Sequence, residues 1–165
     1  MTAKDKGLND LFLDTLKDIY FAEKQILKAL PKMAKAATSD KLRAAFEKHY
    51  GETEGQVERL DKIFEMIDKP ARSKTCEAIQ GILDEGKETM EEYKGTEALD
   101  AGMLAAAQAV EHYEISRYGT LKQWAQQLGM RDAVRLLDET LQEERKTDET
   151  LTSLAEAEVN LAAAA

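Results

Sequence analysis

"VEHYEISRYG" (residues 110–119) sets two glutamates three residues apart, with Tyr118 four beyond the second. The preceding "DAGMLAAAQA" (100–109) is small and apolar, the composition of a tightly packed helix. Residues three and four apart share one side of a helix. Leu104, Glu111, Ile115 and Tyr118 therefore fall on one stripe, and Glu114 sits beside it. Carboxylates on an apolar stripe are either surface residues of a helix read out of phase or ligands for something positive inside the protein.

Working outward, apolar residues at spacings of 3 and 4 predict five helices. The first spans roughly 7–37, with Leu16, Ile19, Tyr20, Glu23, Ile26, Leu27 and Leu30 on one side, and Pro31 is expected to kink its last turns. Ser39 or Asp40 is the expected N-cap of a second helix, roughly 40–68, carrying Leu42, Phe46, His49, Thr53, Val57, Leu60 and Phe64. A connector with Pro70 leads to a shorter helix, roughly 74–94. The fourth spans roughly 97–128 and stops at Gly129, and the fifth, roughly 131–159, runs into a fraying "NLAAAA" tail. No strand-like alternation or phosphate-binding glycine loop is present. The expectation is an all-α chain, one domain over 1–165, built as a four-helix bundle with a short crossover helix between its second and third members.

Composition limits the function. Apolar residues make up 43% and charged residues 33% of 165, with two prolines, which fits a packed helical domain. A net charge of −9 argues against sequence-independent nucleic-acid binding and against docking on an anionic membrane. "MTAKDKGLND" has no apolar leader core and no run approaches a membrane span. The single Cys76 cannot form an internal disulfide or a zinc–cysteine cluster. The expected compartment is the cytoplasm.

The same phase argument applies to every helix. Glu23 lies near the centre of the first stripe; His49, Thr53 and Gln56 fall on the second, flanked by Glu52; Glu144 and Asp148 align with Leu137 and Leu151 on the fifth. Six carboxylates on four helices, Glu23, Glu52, Glu111, Glu114, Glu144 and Asp148, are thus predicted to face one interior. A single glutamate at a stripe margin is ordinarily a surface residue with a snorkelling stem. Several together are harder to leave uncompensated, since each buried charge costs several kcal/mol. No lysine or arginine shares these stripes beside them, and the nearest, Lys122, lies two turns past Glu114. Oxygen-rich ligation of divalent cations is the economical solution, and it suits iron, manganese, magnesium or calcium better than zinc or copper.

"LKDIYFAEKQILKALPKMAKAA", "AFEKHYGETEGQVERL", "KTCEAIQGILDEGKE", "AAAQAVEHYEISRYGTL" and "LLDETLQEERKTDETLTSLA" resemble consecutive blocks of the YciF/YciE family, a bacterial stress-associated branch of the ferritin-like, rubrerythrin-related superfamily. The resemblance covers nearly the whole chain. It implies a homodimer of ferritin-like four-helix bundles with a dinuclear metal centre, iron or manganese, held by one glutamate from each of two helices and Glu-x-x-His from the other two. Glu23 matches the first-helix ligand, Glu111 and Glu114 resemble the Glu-x-x-Glu of rubrerythrins followed by the aromatic Tyr118, and Glu52 and Glu144 match the paired-helix glutamates. Three residues after the last two stand Gly55 and Thr147 instead of histidine, with Gln56 and Asp148 as the inward polar residues at the next position. No Cys-x-x-Cys iron module is present, so redox work would need an external electron donor.

His49 reads either as a direct ligand or as a group orienting a carboxylate. Tyr20 and Tyr118 read either as donors to ligand carboxylates or as core aromatics with satisfied hydroxyls. His112 reads as polar surface, and Trp124 as packing under the crossover helix or in a dimer contact. The functional expectation is a di-metal carboxylate protein acting on peroxide or oxygen. The alternatives are a stress or interaction scaffold with a structural or empty site, and metal sequestration without turnover.

Overall fold

The computed structural model describes residues 5–165; the part of the leader reading that concerns residues 1–4 lies outside them. Among the described residues there is no strand. The helices are α1 (Leu8–Ala36), α2 (Asp40–Met66), α3 (Glu77–Glu92), α4 (Leu99–Gln127) and α5 (Arg131–Leu154). A π-turn, Ala155–Val159, and a short α6, Asn160–Ala163, continue α5.

Local chemistry sets the ends. Gly7 N donates to Asp10 Oδ2 at 2.9 Å at the start of α1, and Ser39 Oγ accepts from Leu42 N at the start of α2. The Ser39 expectation therefore holds. α4 ends before Gly129, whose φ of +74° suits a residue without a Cβ. α1 runs through Pro31 for a further turn, to Ala36. The predicted α3 was too long at its start, because Lys74 and Thr75 lie in the connector, where Lys74 N donates to Lys17 O at 3.1 Å. The NLAAAA tail is largely exposed, whereas Ala155 and Val159 just before it are buried. A five-residue turn absorbs the mismatch that a strict 3.6-residue period would leave there.

α1 packs on α2 and α4 on α5, each pair joined by a short loop. The pairs meet through α2 against α5 and α1 against α4, and α3 lies across α1 and α4 on the outside. Phe12, Leu16, Ile19, Phe46, Leu60, Phe64, Met103, Leu121 and Leu137 fill the space between them. Each such side chain contributes about 1.5–3 kcal/mol relative to exposure. α3 buries only Ile79 fully. Its seat on α4 is close: a Cβ on Gly102 would come within 2.5 Å of Thr89 Cγ2, and one on Gly86 within 3.2 Å of Ala106 Cβ.

A second tie holds the α1–α2 turn to α4. Asp100 Oδ1 accepts from Thr38 N at 2.9 Å, while Oδ2 accepts from Thr38 Oγ1 at 2.6 Å and Ser39 N at 2.7 Å. No helix among the described residues is long and apolar enough to cross a membrane.

Candidate metal centre

α1, α2, α4 and α5 each turn polar side chains into the middle of this apolar packing. Glu23, His49, Gln56, Glu111, Glu114 and Glu144 are all buried, and Glu23, Glu114 and Glu144 have no exposed surface. One ligand atom each from His49, Glu111, Glu114 and Glu144 lie within 4.8 Å of one another. The apolar stripes carry these residues inward because their neighbours at three and four positions are buried for hydrophobic reasons.

The partners within the cluster are few. Tyr118 donates its hydroxyl proton to Glu23 Oε1. Gln56 Nε2 donates to Glu144 Oε1, and to Glu143 Oε2 at 3.1 Å. His49 Nε2 lies 3.1 Å from Glu111 Oε1, but neither ring nitrogen makes a hydrogen bond of proper geometry. Glu23 Oε2, Glu111 Oε2, both oxygens of Glu114 and Glu144 Oε2 also lack partners among the described residues. Buried polar atoms are almost always paired, so orphans concentrated in one place mark a site whose complement comes from outside the chain.

Proton binding responds to this crowding. Burial, reinforced by the Glu144 charge, raises the Glu23 carboxyl from 4.5 to about 8. Burial first, then Glu144, holds Glu111 and Glu114 well above the usual carboxylate range. Burial lowers the His49 imidazole despite the acids nearby, favouring its neutral, metal-ligating form. Burial also raises the Tyr118 hydroxyl, which remains a donor. Bound protons or bound cations are the available compensation for several adjacent carboxylates.

Two of the six predicted inward carboxylates end at the margin instead. Glu52 is half-buried, paired with Lys48 and accepting from Thr147 Oγ1 at 3.3 Å. Asp148 is half-buried, 3.1 Å from His112 Nε2 and accepting from Gln108 Nε2 at 3.1 Å. Glu52 flanks its stripe, whereas Asp148 shares the phase of Glu144 and still meets partners outside the cluster. Tyr20 takes the second of its two readings, a core aromatic with a satisfied hydroxyl, which donates to Asp61 Oδ1 at 2.8 Å. Lys122 is engaged with Asp138 at 2.7 Å.

Glu143, which the stripe argument does not single out, is the link between the cluster and Arg59. Arg59 grips both Glu143 oxygens, at 2.8 and 2.6 Å, and Glu143 in turn accepts from Gln56. The signal was an arginine three residues past Gln56, one turn along the same helix. Which acid it would meet on α5 was not readable from the sequence.

Residues 7–164 match the family model described as a domain of unknown function, DUF892. The chain belongs to the DUF892 family. Within that family it is 48% identical to Protein YciF of Escherichia coli strain K12 over 157 residues, 94% of each chain. The solved structure of that E. coli stress protein superposes with a TM-score of 0.89 at 46% identity, covering 94% of this chain and 98% of that one. YcfI, a candidate structural protein from Rhodopseudomonas palustris, gives the same TM-score at 44% identity, over 93% and 98%. A protein from Xanthomonas campestris pv. campestris, 21% identical with a TM-score of 0.74 over 94% of each chain, shares the fold. The DUF892 chain thus has the all-helical, ferritin-like fold of YciF, with a buried imidazole–carboxylate cluster that can hold metal.

Proposed function

We propose that the four long helices form a ferritin-like four-helix bundle with α3 as its crossover helix, and that the chain is a stress protein binding two divalent ions, iron or manganese, inside it. The observation that carries this reading is the set of unpartnered buried oxygens beside an unpartnered neutral imidazole. One nitrogen and several carboxylate oxygens form a donor set suited to iron or manganese.

When bound, such a pair of ions supplies electron exchange with peroxide or dioxygen. The chain's own residues do the rest. His49, Glu111, Glu114 and Glu144 supply the central donors, and Glu23 adds its free Oε2 while Tyr118 fixes the other oxygen. Gln56 holds one oxygen of Glu144 and leaves the second free, and Arg59 anchors Glu143 beside it. Glu114 has neither oxygen held by a hydrogen bond of settled geometry, so it is the carboxylate freest to shift or to carry a proton. Apolar walls keep bulk water out and strengthen these interactions. Turnover requires an external electron donor. We further propose a homodimer, which light scattering tests by a mass twice the 18.4 kDa chain.

The deciding experiment is elemental analysis of full-length protein, purified without a metal-binding tag from cells given iron and manganese, beside the Glu111→Ala/Glu144→Ala double variant. Near-stoichiometric metal that disappears in the variant supports the reading, and metal-free, stable wild type overturns it. A scaffold role is the second reading, favoured by the description of YcfI as a candidate structural protein. It requires a fold equally stable with and without metal, and tolerance of Glu111→Ala.

A further inference from the structure

Two cavities adjoin between the surface and the cluster. A groove of about 230 Å³ opens between α1, α3 and α4, edged by Lys28, Lys32 and Lys87. Behind it lies an apolar chamber of about 20 Å³, walled by Ile26, Leu30, Phe46, Ala107 and Leu151. Ala29, Met33, Leu83 and Val110 line both cavities and so form the neck between them. The polar residues lining the chamber are His49, Glu111 and Thr147. The chamber therefore reaches the cluster at the imidazole whose two nitrogens are unpartnered.

We propose that groove, neck and chamber form an entry passage for a small apolar diatomic, of the chemical class of dioxygen, with Leu83 and Val110 deciding what passes. This rests on the metal-centre reading and names the molecule that reaches it. The chamber exceeds the roughly 10–15 Å³ that one water-sized molecule needs. A hydrogen peroxide molecule would exchange its water hydrogen bonds for aliphatic walls at the neck, whereas a homonuclear diatomic has none to lose. The close seat of α3 at Gly86 and Gly102 keeps Leu83 over the neck. Leu83 is itself half-buried, so its side chain has room to change rotamer.

Xenon, an apolar probe of similar bulk, tests the route without metal. In methyl-labelled, metal-free full-length protein under xenon pressure, saturable NMR shifts are expected at Leu83 and Val110 and, deeper, at Ile26 and Leu151. Leu83→Trp should weaken the Ile26 and Leu151 responses at least about fivefold, because a filled neck leaves no room for the probe. Val110→Ala, a milder change that widens the neck, should keep them. Absent shifts at Ile26 and Leu151 in wild type, or shifts unchanged by Leu83→Trp in a folded protein, overturn the passage. In iron(II)-loaded protein, Leu83→Trp should slow oxidation by dioxygen about tenfold and leave oxidation by peroxide unchanged. Equal slowing of both overturns the assignment to a diatomic gas. Failure to load iron would count against the metal centre and leave the xenon result to decide the passage.

Discussion

Asp100 is 7% exposed and Glu114 fully buried. The first meets three donors, two backbone N–H groups and a hydroxyl, at 2.6–2.9 Å. Glu114 has no donor of hydrogen-bond geometry on either oxygen, and three neighbouring glutamates share its condition in part. The same fold therefore handles interior carboxylates in two ways. Where a carboxylate ties a turn to a helix, backbone and side-chain donors complete it. At the centre, four helices bring acids together and, among the described residues, supply only Tyr118 and Gln56 as settled donors. The difference teaches that the shortfall is local to the cluster and not a general looseness of the packing.

The largest expected effect comes from metal itself. At a free concentration a thousandfold above Kd, iron(II) or manganese(II) added to chelated protein should raise stability by about 4 kcal/mol, a Tm rise of about 10 °C for a chain of this size. Calorimetry reads it, and an unchanged Tm would place the cluster beside Asp100 as merely structural. Next is Asp100→Ala, which strands two backbone N–H groups and a hydroxyl and should lower stability by about 3 kcal/mol with or without metal. A metal-dependent loss in urea melts of that variant would break the separation between the two regions.

The pH response is the third contrast. Glu23 has its folded pKa raised from 4.5 to about 8, and Glu111 and Glu114 shift the same way. The folded state then holds protons the unfolded chain has released, so stability is present at low pH and is lost as pH rises through the folded values. His49, shifted down, acts oppositely, losing stability only as pH falls below 6.5. Between pH 6.5 and 8 the carboxylates act alone, and Glu23 by itself should lower the Tm of chelated protein by about 5 °C, with Glu111 and Glu114 adding to the fall. Saturating metal should abolish that slope, since it replaces those protons; a slope unaltered by metal would sink the assignment. Smallest is Glu114→Gln in chelated protein, expected to stabilise by about 1 kcal/mol by removing a carboxyl that must take up a proton to be buried. A destabilised variant in thermal melts would show that the carboxylate is already satisfied.

Phase along single helices made much of this arrangement legible. Glu23, Glu111 and Glu144 stand on their stripes and Glu114 beside its own, and a period of 3.6 is enough to turn them inward. Glu52 and Asp148 show the limit of that method: it gives an angle and not a depth, and the outcome depends on Lys48 or His112 lying within reach. Partners far apart in sequence were illegible for a related reason. Tyr20 finds Asp61 and Arg59 finds Glu143 across helix interfaces whose relative register is set by packing of the whole core. Nothing in the local sequence marks Asp100, because its donors at Thr38 and Ser39 come from a turn some sixty residues earlier.

The π-turn at Ala155–Val159 carries one residue more than an α-turn would need. Ahead of it, the rotation of α5 is committed to Glu144; after it, the chain packs on α4 through the turn and α6. One added residue re-aims the C-terminal segment by about 100° and leaves α5 in place. The turn is thus a phase joint between two lengths of the same rod. Insertions, deletions or fusions beyond Leu154 can redirect the C-terminus over evolutionary time without turning a single carboxylate of the centre.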